Sequence, residues 1–320
     1  MSENNSTKED FVYGMTASAA FDTGDGGVIF AARNTGLFRS DDGGKTWQRT
    51  LAELATDRLV AVTAVAVPID FERDHTVICG MAGALLISSD GGETWMLPKF
   101  PLPPPMISAI ALSPGFSTDG VALAATMEDG VLRSSDHGRS WVQWNFSLLD
   151  LSVLSLAISP AFMRDETVFA GTETGIFCST NGGRAWRALD LPVEYDPVLS
   201  LALSPDFDQD LTIFAGTESK GLLISRDAGE HWTIAGESFT LEPLNSIIVS
   251  PQFSVCPEVV ALSNGLGWIS RDGGSKWSQL WPELASDEQE ISAIYAPVGF
   301  RPGSPVWVGI FSGGVVLKSF

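Results

Sequence analysis

The sequence predicts an all-β protein: a single seven-bladed β-propeller of four-stranded antiparallel blades. Three observations carry the prediction. An eight-residue stretch, at its cleanest Ser88-Ser89-Asp90-Gly91-Gly92-Glu93-Thr94-Trp95, recurs at 40–47, 88–95, 134–141, 179–186, 225–232 and 270–277. Its tryptophans, Trp47, Trp95, Trp141, Trp186, Trp232 and Trp277, lie 48, 46, 45, 46 and 45 residues apart, so one supersecondary unit is stacked on itself. Seven apolar segments with strand character begin near residues 12, 61, 107, 153, 198, 245 and 291. Seven units of about 45 residues close into one propeller, which overrides the length-based expectation of two domains.

Residues 1–10 read as a flexible tail and 11–320 as the propeller. Within it every unit repeats one grammar, clearest in the fourth. Val153–Ile158 is a mostly apolar first strand, expected innermost. Ser159-Pro160-Ala161-Phe162 turns the chain, because proline removes a ladder donor. Val168–Thr172 is the second strand, Glu173-Thr174-Gly175 a tight turn, and Ile176–Ser179 the third strand. Asn181-Gly182-Gly183 makes a hairpin, and Trp186 begins the fourth, outer strand. The proline turn recurs as Pro68 with Phe71, Pro114 with Phe116, Pro205 with Phe207, Pro251 with Phe253 and Pro297 with Phe300; in the first unit Phe21 stands in its place without a proline. Seven first strands face only six tryptophan-bearing fourth strands. An open sheet edge must be closed somehow. Either the last blade has three strands, or the N-terminal segment supplies the fourth; the second is preferred, although 11–16 already serves as a first strand.

The octet has a physical reading at each position. Glycine permits positive φ in the hairpin. Asp42, Asp90, Asp136, Asn181, Asp227 and Asp272 accept hydrogen bonds from nearby backbone N–H groups and freeze the turn. The tryptophan buries a large apolar area. A ring of acids or metal ligands is excluded, because identical units set these turns on separate blades. Asn181 in place of the acid suits a turn and not a catalyst.

These octets resemble the Asp-box, or BNR, repeats of sialidase-like propellers. Related arrays occur in sortilin-type receptors, certain endoglucanases and the photosystem II stability/assembly-factor family, and the resemblance spans about 300 residues. In that superfamily the box is a peripheral structural turn, so it implies the fold and no activity. The photosystem II assembly factors are similar in repeat type only: they resemble lumenal, signal-bearing chains with a basic functional patch, features not read here. The sialidase resemblance would imply an arginine triad, a Tyr–Glu nucleophile pair, an Asp acid and an Arg-Ile-Pro motif. No Arg-Ile-Pro occurs, and of the three tyrosines, Tyr13, Tyr195 and Tyr295, only Tyr295 falls about where the resemblance would put a late-chain nucleophile, with no matching arginine triad around it. Packing is the better account of it.

Composition narrows the partners. The formal net charge of −20 disfavours nucleic acid and anionic membranes, and favours a basic protein segment or a cation. The N-terminus, MSENNSTKED, is polar and has no apolar core of a signal peptide, and no run anywhere is long enough to span a membrane. Cys79, Cys178 and Cys256 fall in different units without metal spacing, which suggests reduced thiols and a cytoplasmic protein. His75, His137 and His231 do not converge, and Asp206-Phe207-Asp208-Gln209-Asp210 lacks the later ligands of a calcium loop. Neither a metal nor another cofactor is expected.

Function is therefore expected on the face of variable loops, the second-to-third turns and the connectors between units. The turns of units three to five carry Glu128-Asp129, Glu173 and Glu218, where the other units offer Asn34, Met81, Asn264 and Ser312. Such a one-sided acidic patch suits capture of a basic segment. Trp144, Phe146 and Trp281 stand in connectors where no blade position requires them, near the stiff run Phe100-Pro101-Leu102-Pro103-Pro104-Pro105; they serve as caps or as an aromatic docking surface. The favoured function is a non-catalytic protein-binding or assembly scaffold; the alternative is a glycoside hydrolase or a protein binding a small sugar.

Overall fold

The computed structural model describes residues 10–18, 27–51, 60–235, 243–286, 290–311 and 314–320. The tail 1–9, Phe21 and Ser312 lie outside them. The described strands form seven antiparallel sheets in chain order, the blades of a propeller. Innermost strands are Val12–Ala17, Val62–Ala66, Ile107–Leu112, Val153–Ile158, Val198–Leu203, Leu244–Val249 and Ile291–Tyr295. The seven starts agree with the sequence periodicity to within one residue. In the fourth blade the first three strands have the expected bounds, and the outer strand is Arg187–Ala188.

Two features correct the expected grammar. The proline turns of blades two to five each contain a single helical turn, Phe71–Asp74, Phe116–Asp119, Phe162–Asp165 and Phe207–Asp210. Each ends on a residue in the left-handed region, which lets its N–H reach back to the phenylalanine carbonyl, as in Glu166 to Phe162 at 2.8 Å. In blades two and five the buried phenylalanine packs edge-on against a ring of the preceding blade, Phe71 on Phe30 and Phe207 on Phe169. The second correction concerns blade two, whose fourth strand is one bridge between Ile87 and Met96. Pro98 follows two residues later and has no N–H to continue the ladder.

Every innermost strand carries a bulge at its second residue, seen as the register shift between Val153 and Ser155 or Val198 and Ser200. The bulge lets the following blade come close. A Cβ on Gly171 would stand 2.8 Å from Val198, and one on Gly216 2.5 Å from Leu244, so glycine is required where the next blade begins. Ser155 and Ser200 donate across the same gaps to the carbonyls of Val198 and Leu244, both at 3.0 Å.

The last blade has three strands, Ile291–Tyr295, Pro305–Ile310 and Gly314–Ser319. Side chains join it to blade one. The Trp307 indole donates to the Gly43 carbonyl at 3.0 Å, Ala17 N–H donates to the Tyr295 hydroxyl at 3.1 Å, and Phe11 meets Phe311 edge-on at 5.1 Å. Tyr295 is thus a structural contact at the closing seam, as the packing reading expects.

Candidate functional site

The six octets are hairpins with a shared set of bonds on one face. In the first, Asp42 accepts from Ser40 Oγ, Lys45 N and Thr46 N through one oxygen, and from Thr46 Oγ1 at 2.6 Å through the other. These donors, the Thr46 hydroxyl foremost, hold the Asp42 carboxyl at a pKa of about 2. The His231 N–H and ring do the same for Asp227. Asn181 keeps the one-oxygen bonds, from Ser179 Oγ, Arg184 N and Ala185 N. Its second position meets no side-chain donor, because Ala185 stands where Thr46, Thr94, Ser140 and His231 each bring a hydroxyl or ring nitrogen to the second oxygen; the sixth box has Lys276 there. Asp42, Asp90, Asp136 and Asp227 use both oxygens within their own turns, and Asp272 uses one. Trp141, Trp186 and Trp232 are buried, while Trp47, Trp95 and Trp277 are half-buried.

The opposite face is built differently. Threonine at the end of the second strand closes each turn of blades three to five: Thr126, Thr172 and Thr217 donate to the carbonyls of Gly130, Gly175 and Gly221. An acid in the connector entering the blade then clasps the turn from outside. Asp10 accepts from Thr35 Oγ1 at 2.8 Å in blade one. Asp150 accepts from Thr174 N and Oγ1, at 2.9 and 2.8 Å, in blade four. Asp196 accepts from Ser219 Oγ at 2.8 Å and from its N–H at 3.1 Å in blade five. Sequence reasoning missed these three acids. Their signal is an aspartate two or three residues before an innermost strand, matched by a hydroxyl residue in that blade's turn. Asp10 also pairs with the nearly buried Arg33 at 2.8 Å. Burial pulls the Arg33 pKa down, and Asp10 pushes it back up.

The clasped turns present the sequence-predicted acids to solvent. Glu128, Glu173 and Glu218 are all exposed, on three successive blades, and Asp129 is half-buried. Lys220, also exposed, shares the turn of Glu218. The predicted aromatic residues stand elsewhere. Trp144 and Phe146 run beside the fourth blade's box: their carbonyls accept from the Trp186 indole and backbone N–H, both at 2.9 Å. Phe146 is 75% exposed. Trp281 is half-buried and packs edge-on against Phe320 at 5.8 Å in the last blade. The structure gathers the acids on one face and divides the aromatics between the rim of blade four and the closing blade.

Two hollows flank this framework. One of about 650 Å³ lies on the box face between blades one and two, where Arg39 is tied to the Gly91 carbonyl and to Asp41. The other, of about 430 Å³, lies on the turn face between 174–175 and the connector 189–195. Among the described residues no group of three or more His, Cys, Asp or Glu is placed to hold a metal, and no helix is long and apolar enough to cross a membrane. Burial pushes the Cys178 thiol up to about 11 and that of Cys79 higher still, so neither is a ready nucleophile.

The fold and these hairpins define a seven-bladed propeller of BNR-type repeats. Two family models match parts of the chain: Photosynthesis system II assembly factor YCF48 over residues 10–143, and Sortilin, neurotensin receptor 3, over residues 129–242. Among curated protein sequences there is no significant match. Of solved structures, YCF48 bound to D1 peptide is 19% identical, with a TM-score of 0.68, covering 97% of this chain and 93% of that one. The GH74 xyloglucanase from Xanthomonas campestris is 16% identical, with a TM-score of 0.75, covering 97% of this chain. The extracellular domain of a B. thetaiotaomicron protein is 13% identical, with a TM-score of 0.72, covering 98% of this chain. This chain spans about half the length of the xyloglucanase, 52%, and 39% of the B. thetaiotaomicron chain. At these identities the likeness concerns the fold.

Proposed function

We infer that the protein is a non-catalytic binding module that captures a basic protein segment on its turn face. The observation that carries this reading is the row of exposed carboxylates, Glu128, Glu173 and Glu218, on turns held rigid by threonines and, in blades four and five, by connector acids. A preformed acidic face in a chain of net charge −20 attracts cationic partners and fixes their orientation at little ordering cost. The peptide-bound YCF48 structure supports the use of such a propeller for peptide capture. A reducing, cytoplasmic location fits three free cysteines, two of them buried.

The likeness to a GH74 xyloglucanase supports a second reading, recognition or hydrolysis of a glycan. The test addresses both. A set of synthetic basic peptides and a set of xyloglucan oligosaccharides are titrated against the parent and against the triple variant Glu128→Ala, Glu173→Ala, Glu218→Ala. The expected result is peptide binding that weakens with salt and falls in the variant. Oligosaccharide binding or cleavage, without peptide binding, overturns the reading in favour of the glycan.

A further inference from the structure

We propose that the hollow beside Tyr195 is a pocket for one arginine or lysine side chain of a partner. The proposal rests on the protein-binding reading and names its specificity site. The hollow measures about 430 Å³, room enough for one long side chain, and opens on the turn face next to Glu173. Its floor is apolar: Leu189 is buried, and Leu191 and Val193 are half-buried. Its rim is acidic and aromatic, with Asp190, Glu194 and Tyr195 all exposed. That layering matches the build of a basic side chain, an aliphatic stem under a charged head.

Tyr195 is the telling residue. The residue is 81% exposed, and its backbone sits at φ +48°, a conformation that bulky side chains rarely adopt. A residue so exposed contributes little to the core. It offers a π face beside two carboxylates, the combination that attracts a cation. Both walls are fixed. Asp150 pins Thr174 on one side, and on the other the buried Asp196, the residue after Tyr195, accepts from Ser219 N–H and Oγ. The pocket is preformed, so a guest does not have to order it. Among the described residues no three or more His, Cys, Asp or Glu gather to hold a metal, and this lining of two acids with a tyrosine and three aliphatic residues suits an organic cation better than a metal ion.

The test uses a dye-labelled Gly-Ser peptide carrying four arginines, its lysine counterpart and its citrulline counterpart, which keeps the shape of arginine without the charge. The full chain is titrated at low and moderate salt. Arginine and lysine peptides should bind, and citrulline should weaken binding about tenfold or more. Asp190→Asn with Glu194→Gln should weaken the arginine peptide to a similar degree, and Tyr195→Ala about threefold. All three positions are exposed, so the variants should melt with the parent, and thermal unfolding verifies this. If both variants bind the arginine peptide as the parent does while the triple glutamate variant does not, the pocket is refuted and the protein-binding face stands. If no basic peptide binds the parent, both fall. If xyloglucan oligosaccharides compete for binding and the Tyr195→Ala variant abolishes this, the hollow is a sugar site and the cation proposal is overturned.

Discussion

The two faces of this propeller are made by the same repeated unit and solve the same problem, fixing a tight turn, in opposite ways. On the box face the acid belongs to its own hairpin, at a constant place in the octet. Asp42 and Asp227 spend their oxygens within four residues. On the turn face the acid comes from the connector: Asp150 reaches 24 residues to Thr174, and Asp196 reaches 23 to Ser219. A local device can be copied unit by unit without regard to neighbours. A device that depends on a connector is tied to the loop most free to vary, and blades one, four and five have it in this form. The difference explains why one face is uniform and the other is individual, and why binding is sought on the second.

The largest effect that sharpens this contrast is expected at the box tryptophans. Trp186 is 4% exposed, and its indole N–H and backbone N–H both bond the connector of the preceding blade. Trp186→Ala should destabilise the fold by about 3–5 kcal/mol, read from urea unfolding. Phe146→Ala, whose ring is exposed, should change stability far less even though its carbonyl joins the same contact. Equal effects would mean that the Phe146 ring helps hold blades three and four together.

Next come the two kinds of aspartate. Asp136→Ala leaves the Ser140 N–H and hydroxyl and the Ser134 hydroxyl without their acceptor. It should cost about 1–3 kcal/mol. Asp196→Ala should cost a similar amount, about 1–3 kcal/mol, because the acid is 4% exposed and leaves Ser219 unpaired. The distinguishing readout is hydrogen exchange. Loss of Asp136 should speed exchange around its own hairpin. Loss of Asp196 should speed it at Ser219, across the connector. If exchange at Ser219 is unchanged, the clasp does not hold that turn.

Acid should separate the blades as well. Asp42 and Asp227 have folded pKa values of about 2, against 3.8 for the free group. A depressed carboxylate contributes stability that is present above the unfolded value and is lost as pH falls through the folded one. The urea midpoint should therefore decline from about pH 4 towards pH 2. Asn181 has no proton to gain, so the fourth box takes no part. Asp227→Asn should flatten the decline, and an unchanged slope would place the acid sensitivity elsewhere.

How much of this was legible in the sequence follows from the same distinction. The octet is local, so its spacing alone located six hairpins and, with the apolar segments, all seven innermost strands. The single helical turn after the proline was missed because the pattern announces a turn but not its closure by a left-handed residue such as Glu166 or Leu211. Pro98 was visible, yet its effect on the fourth strand of blade two depended on pairing with Ile87. The clasps went unread because Asp150 and Thr174 are 24 residues apart, and an aspartate before a strand and a hydroxyl in a turn become a signal only once the two are seen to meet. The aromatics Trp144 and Phe146 looked like part of the connector face because their connector ends there; their backbone is in fact bonded to Trp186 of the next blade.

The smallest effect on stability tests the contrast most directly. Glu128, Glu173 and Glu218 are exposed tips of turns held by Thr126, Thr172 and Thr217, and no resolved ion pair uses the three carboxylates among the described residues. Alanine at all three should leave stability within about 0.5 kcal/mol of the parent, since surface substitutions away from caps and networks seldom do more. Removing three like charges from a chain of net charge −20 relieves repulsion, so the sign should be neutral or slightly stabilising. The same variant should lose salt-sensitive peptide binding. Stability without binding is the signature of residues that serve the partner and not the fold. A clear loss of stability would mean that the turn face, like the box face, keeps its acids for itself.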